Sequence, residues 1–354
     1  MIESRLTKLV AVVAALASGW AVPVAAEDDV LVIAHRGASG DRPEHTLAAY
    51  ELAIDLGADY VEPDLVPTKD LHLIARHETE LSGTTDVASR EEFADRRRDK
   101  IINGQRVAGW FAEDFTLAEI RTLRARERVP TARPANVAYN GLYQVPTFAE
   151  IIKLVRAKEA ETGRSIGLYP ELKVPTFLLQ DAGIDTVDLL VRDLREANLD
   201  GADDLVFVQA FEVAPLQRLD RLIDSRLILL VAPEGGPYDE PDMRWANMIT
   251  PTGLAEIATY ADGIGPWLGH VLDPTTMQAT SLVEDAHAAG LKVHPWTLRK
   301  ENGFLPGALQ NEGGPAADGK WPLLWGAAIA SGADGFFTDN VSELVGLLEA
   351  SESD

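Results

Sequence analysis

Short apolar runs and helix-spaced apolar positions alternate along most of this chain. Val30 to Ala34 is an unbroken apolar run with the length and β-branching of a buried strand, and it stops on His35-Arg36-Gly37. Leu47, Tyr50, Leu52, Ile54 and Leu56 then supply the apolar positions of a helix from about Thr46 to Leu56, with Thr46 as its cap. A second strand, Asp59 to Leu65, carries Glu62 and Asp64 on either side of Pro63. Side chains two apart on a strand share a face, so the two carboxylates point the same way. The result is a βαβ unit whose strand ends hold a histidine, an arginine and two acids, at the end where α/β folds bind ligands.

After Asp64 the sequence Val66-Pro67-Thr68-Lys69-Asp70-Leu71 and His72 to His77 reads as a hairpin that returns His77 to the level of Glu62 and Asp64. From about 81 to 145 the alternation breaks. This stretch holds the charged run Arg96 to Lys100, a short helix near Leu117 to Arg126 and a loop rich in Pro, Asn and Tyr. Its periodic apolar positions are too few for a core of its own, so it is expected to be an insertion. Regular alternation then resumes. Helices at Thr147 to Lys158 and Ile184 to Ala197 lead into strands at Ile166 to Glu171 and Leu205 to Phe211. Further strands are expected at Leu227 to Val231, Gly263 to Pro266, Leu291 to Trp296 and Gly335 to Thr338, with a last helix near Val341 to Leu348. About eight strands in βα units predict a closed (β/α)8 TIM barrel with a subdomain inserted after the second strand and its hairpin; a doubly wound open sheet is the alternative. The segment Glu301 to Lys320, rich in Gly, Pro and Ala, is a long loop with the placement of a lid.

The ends and the charge narrow the class. Arg5 and Lys8, the apolar run Leu9 to Ala17 and the small residues Val24-Ala25-Ala26 read as a signal peptide over residues 1–26. Residues 27–354 are then a single domain, exported to a periplasm or secreted, with no stable membrane insertion after cleavage. A net charge of -24 argues against nucleic-acid binding and suits a protein that holds divalent cations. With no cysteine, thiol nucleophiles, disulfides and zinc-thiolate sites are excluded. There is also no G-x-x-x-x-G-K-S/T loop, no G-x-S-x-G elbow, and no second histidine to make a zincin of His77-Glu78.

Several separated motifs then resemble the glycerophosphodiester phosphodiesterase family of the periplasmic type. They are Ala34 to Gly40, Pro43-Glu44-His45-Thr46, Glu62-Pro63-Asp64-Leu65, Ala75-Arg76-His77, Gly141 to Thr147, Tyr169 to Lys173, Val293 to Arg299 and Phe337-Thr338-Asp339-Asn340. Two positions depart from the common pattern: His45 stands where the family commonly has Asn, and Ala210 where it has Ser. The resemblance implies hydrolysis of glycerophosphodiesters, such as glycerophosphocholine or glycerophosphoethanolamine, to an alcohol and sn-glycerol 3-phosphate. It also implies that Phe211 and Trp296 line a glycerol pocket, a place the barrel core explains equally well. The rival readings are a related exported enzyme acting on teichoic-acid polymers or inositol phospholipid head groups, and an exported binding protein on the same barrel without turnover.

The chemistry can be argued from the residues themselves. Cleaving a phosphodiester needs charge neutralisation at the phosphoryl oxygens, a base for the nucleophile and an acid for the leaving alcohol. Glu62, Asp64 and Glu171 offer hard oxygen ligands for one divalent metal ion, Ca2+ ahead of Mg2+ for an exported protein. Arg36 offers a planar fork for phosphate, and Lys173, two residues from Glu171 on the same strand face, points at the phosphate beside the metal. His35 and His77 supply the acid–base pair, with His35 as base and His77 as acid. The structural alternatives are an ordinary Glu171–Lys173 ion pair, a core histidine at 35, and a shifted hairpin that would displace His77. His72 and the arginines at 96–98 are expected to face solvent. Head group and oligomeric state are not set by the sequence.

Overall fold

The computed structural model describes residues 30–273 and 275–352, so the expected signal peptide lies outside the described residues. Eight parallel strand positions run around one barrel. They begin with Leu31–His35, then Tyr60–Glu62 continuing past Pro63 as Asp64–Pro67, and Gly167–Leu168 continuing past Tyr169-Pro170 as Glu171–Leu172. Phe207–Ala210, Arg226–Val231, Gly263–Pro266, Lys292–Val293 and Gly335–Thr338 complete the set. Parallel bridges from Leu168 to Val206 and from Leu298 to Thr338 join the two sheet segments, and the last strand pairs with the first. The ring is closed, as the strand count predicts, and the open doubly wound sheet is excluded.

Pro63 and Pro170 explain why two strands are interrupted, since proline has no N–H to give the ladder. Helices cover the outside. Phe148–Thr162 starts on a capping box in which Thr147 and Glu150 satisfy each other's backbone N–H groups, and Thr46 caps Leu47–Asp55 by accepting from the Ala49 N–H. The outward strand residues Val32, Ala34, Val61, Leu65 and Val208 are buried against these helices in the main core.

The barrel interior has two layers. Ile33, Tyr60, Tyr169, Phe207, Ile228 and Phe337 form a separate apolar cluster, an aromatic floor. Tyr169 stacks on Phe207 with ring centroids 5.0 Å apart and meets Phe337 edge-on at 5.0 Å. Two residues further along the strands, on the same inward face, come His35, Glu62, Glu171, Gln209 and Asp339. Strand period therefore sets a polar layer directly on the aromatic floor.

The hairpin after the second strand forms as expected. Asp64–Pro67 pairs antiparallel with Leu73–Ala75, and the Arg76 N–H reaches the Asp64 carbonyl at 2.9 Å, so the next residue, His77, comes back to the mouth. The inserted segment corrects one expectation: it does have an apolar core. Leu81, Val87, Phe93, Trp110, Phe115, Ile120 and Leu123 form a second cluster, completed by Val66 and Ile74 of the barrel hairpin. The arginines at 96–98 are exposed or half-exposed as expected, but Lys100 beside them is not. Arg98–Ile102 and Gln105–Gly109 make a hairpin, and Lys100 is buried between Glu113 at 2.5 Å and Asp181 at 2.7 Å. The helix expected from Leu117 to Arg126 covers only Leu117–Ile120.

Removing one floor ring opens a cavity beneath the polar layer. Phe207→Ala is expected to cost about 3–5 kcal/mol of stability. Urea unfolding of purified protein measures it, and a loss under about 1 kcal/mol would mean that the floor collapses without penalty.

Candidate active site

The ladder register brings the polar residues level. His35 lies opposite Glu62, Asp64 opposite Glu171, and Glu171 opposite Gln209. Glu62, Asp64 and Glu171, all buried, each direct one carboxylate oxygen into a space where those atoms lie within 4.8 Å of one another. Protein groups also hold several of these oxygens. Glu62 accepts from the Arg36 backbone N–H at 2.8 Å and from Gln209 Nε2 at 3.1 Å. Asp64 Oδ2 is bonded to His45 Nε2 at 2.8 Å, and Lys173 Nζ lies 2.6 Å from Glu171 Oε1.

Burial raises the Glu62 carboxyl well above the usual range, with the Asp64 and Glu171 charges adding to the effect. Burial also lifts Glu171 to about 8, against the pull of Lys173. Asp64 moves the other way: burial opposes ionisation, but Lys173, His77 and His45 outweigh it and hold the carboxyl well below normal. Its Oδ1 is buried without a hydrogen-bond partner. Three close hard oxygens, two of them hard to ionise together and one orphaned, are what a divalent cation would satisfy. The residues fit such an ion, and the cluster can hold one.

Arg36 sits at the sharp end of the first strand, at φ 62°, with Gly37 at φ 83° beside it. A Cβ on Gly37 would stand 2.7 Å from the Ala49 backbone, so glycine alone fits the turn that throws Arg36 over the mouth. Its guanidinium lies 3.4 Å from Asp64 and 3.3 Å from Glu44. His35 Nδ1 is 2.6 Å from Asp339 Oδ1, and the Arg36 Nε–H points at His35 Nε2 at 3.3 Å. That pair of contacts fixes the neutral tautomer with the proton on Nδ1 and the lone pair on Nε2. Burial, then the Arg36 charge, lowers the His35 pKa to about 4. His77 Nδ1 is 2.6 Å from Glu78 Oε1. Although 31% of its side chain is exposed, burial together with Arg36 and Lys173 brings its pKa down to about 3.

The structure thus brings together all the metal and acid–base candidates, and Lys173 with them. Phe211 and Trp296 flank the same mouth, with ring centroids 5.9 Å apart and Lys173 Nζ 5.7 Å from the Phe211 centroid. Several partners were not foreseen from sequence. Asp339 was visible only as part of a motif, and Glu78 only as a charged neighbour of His77. His45 is fully buried between Asp64 and the Tyr50 hydroxyl at 2.7 Å, so the departure at this position bears directly on a cluster carboxylate.

The sequence profile of the glycerophosphoryl diester phosphodiesterase family matches residues 35–343. A glycerophosphodiester phosphodiesterase of Arabidopsis thaliana is 34% identical over 326 residues, covering 88% of this chain and 84% of that protein. A Haemophilus influenzae glycerophosphodiester phosphodiesterase is 32% identical over 302 residues, covering 78% of this chain and 80% of its own. The barrel is similar to that of an Oleispira antarctica phosphodiesterase solved with its product sn-glycerol-3-phosphate: TM-score 0.60, 21% identity, 90% of this chain and 96% of that one covered.

The raised Glu171 pKa has a consequence for metal-free protein. A carboxyl that keeps its proton in the fold stabilises the folded state below its unfolded pKa of about 4.5, and that contribution is lost as pH rises towards about 8. His35 and His77 are shifted downwards, so they add no slope above about pH 7. Without metal, the thermal midpoint of Glu171→Gln should therefore gain on wild type as pH rises from about 5 to about 8. A difference that shrinks over this window would mean that Glu171 ionises freely.

Proposed function

The chain belongs to the glycerophosphoryl diester phosphodiesterase family and is a glycerophosphodiester phosphodiesterase; on that premise we propose that it splits diesters such as glycerophosphocholine and glycerophosphoethanolamine into an alcohol and sn-glycerol 3-phosphate, outside the cytoplasm, with one divalent ion and two histidines. The observation that carries this reading is the convergence of three close carboxylates, the cations of Arg36 and Lys173 beside Asp64, and two carboxylate-bound histidines at one barrel mouth. Export is supported by the N-terminal basic, apolar and small-residue pattern. The all-oxygen cluster suits either Ca2+ or Mg2+, and Ca2+ is favoured because an exported protein meets abundant calcium.

The ion held by Glu62, Asp64 and Glu171 would supply Lewis-acid neutralisation of the phosphoryl charge. The remaining work falls to side chains. Arg36 and Lys173 orient the non-bridging phosphate oxygens, the arginine by its planar fork. Phe211 and Trp296 give the glycerol carbons an apolar wall. His35, neutral with its lone pair on Nε2, accepts the proton of the attacking oxygen as it bonds to phosphorus: a water, or a glycerol hydroxyl whose cyclic phosphate a water then opens to glycerol 3-phosphate. The bond from phosphorus to the leaving alcohol breaks, and His77 gives that alkoxide a proton. A bound phosphodiester anion raises the His77 pKa, because a nearby negative charge favours the imidazolium, and so equips it as an acid.

Two measurements test this. Exhaustive chelation should abolish release of glycerol 3-phosphate and a divalent ion should restore it; full activity without metal contradicts the reading. Removing a general acid costs about 100- to 10,000-fold when the leaving group needs a proton. His77→Ala should lose that much with glycerophosphocholine and far less with a p-nitrophenyl ester of glycerol phosphate, whereas His35→Ala should be impaired on both. Rescue of His35→Ala alone by the activated ester would reverse the two roles, and rescue of neither would remove the acid–base account.

A further inference from the structure

One stretch of the insertion sends two arginines to the barrel mouth, and each ends on the carboxylate that holds a histidine. The Arg128 guanidinium reaches Glu78 at 2.8 Å through Nη1 and 2.7 Å through Nη2, while Nε and Nη2 grip Glu44 at 2.6 and 2.7 Å. Glu78 Oε1, one of the oxygens so held, is the partner of His77 Nδ1. Five positions on, Arg133 repeats the arrangement. Its Nη2 lies 2.5 Å from Asp339 Oδ2, with Nε on Glu301 at 2.6 Å and Nη1 on the Ser39 carbonyl at 3.1 Å. The other Asp339 oxygen holds His35 Nδ1.

We propose that Arg128 and Arg133 are positioning residues for the two histidines, so that the insertion is part of the catalytic machinery. A simple tether between insertion and barrel needs only some ion pair, and Arg128 with Glu44 already provides one. What a tether does not require is that both arginines finish on the carboxylates behind the imidazoles. Glu78 is gripped by both terminal nitrogens of Arg128 and Asp339 is held through Oδ2 by Arg133, which limits their rotation, and the contact each makes to its imidazole fixes the Nδ1–H tautomer and the aim of Nε2. Asp339 is 2% exposed and Arg299 Nε also reaches its Oδ2 at 2.6 Å, so loss of Arg133 leaves the carboxylate one cation but removes a contact that sets its angle to His35.

This inference rests on the acid–base reading of His35 and His77, and the experiment separates the two. Arg128→Met in the full chain should lower kcat with glycerophosphocholine about 10- to 100-fold, with KM nearly unchanged. In the His77→Ala background the same substitution should change kcat by less than about twofold, because the histidine it serves is gone. Glu78→Gln, which leaves the Arg128–Glu44 tether intact, should show the same kcat loss and the same dependence on His77, and it carries the test if Arg128→Met does not fold. Arg133→Met should behave likewise against His35→Ala. An equal loss in wild-type and His77→Ala backgrounds, or lowered thermal stability with unchanged kcat, overturns the positioning role while leaving the acid–base reading standing. Wild-type turnover in His77→Ala itself would sink that reading and this inference together.

Discussion

The site depends on one electrostatic constraint: three carboxylates are forced together on an aromatic floor with too little positive charge to neutralise them. Glu62 and Glu171 are there because the inward face of a strand repeats every second residue and the residues two places earlier, Tyr60 and Tyr169, are the floor; Asp64 is one further step along the same face. Moving any of these strands by one residue would turn its acid out towards the helices. Lys173 and Arg36 offset part of the repulsion, and Glu62 and Glu171 still resist ionisation. A divalent cation held there would relieve what remains of the repulsion.

The histidines answer a different need. Both sit among cations, and burial with Arg36 keeps each imidazole neutral at ordinary pH. Neutrality alone does not choose a tautomer. Asp339 and Glu78 make that choice, and they in turn are held by Arg133 and Arg128 of the inserted segment, with Arg299 also on Asp339. Support for the histidines therefore runs from the insertion through Asp339 and Glu78 to the imidazoles.

Much of this was legible in the sequence because it rests on short-range periodicity. Glu62 with Asp64, and Glu171 with Lys173, share a face by spacing alone, and His77 returns by a hairpin of a few residues. The barrel followed from the strand count. What escaped depends on contacts between distant segments. Asp339 meets His35 only once the last strand closes on the first, a pairing across 304 positions. Arg128 and Arg133 lie where no helix or strand period announces a direction. The core of the insertion was missed for the same reason: Leu81, Phe93, Trp110 and Phe115 follow no single period, and their cluster is completed by Val66 and Ile74 from the barrel. Lys100 stands in a charged run, the usual mark of a solvated face, yet its partners are Glu113 and an aspartate on a barrel helix, Asp181.

The measurement closest to the central claim is a calorimetric titration of metal-free protein with Ca2+, repeated on Glu62→Gln and Glu171→Gln variants shown by circular dichroism to be folded. Wild type should bind one ion per chain and release protons as it does so, because Glu171 must give up a proton to become a ligand. Either variant should lose that binding. One-to-one binding that survives both substitutions, or wild-type protein that binds neither Ca2+ nor Mg2+, would contradict the account.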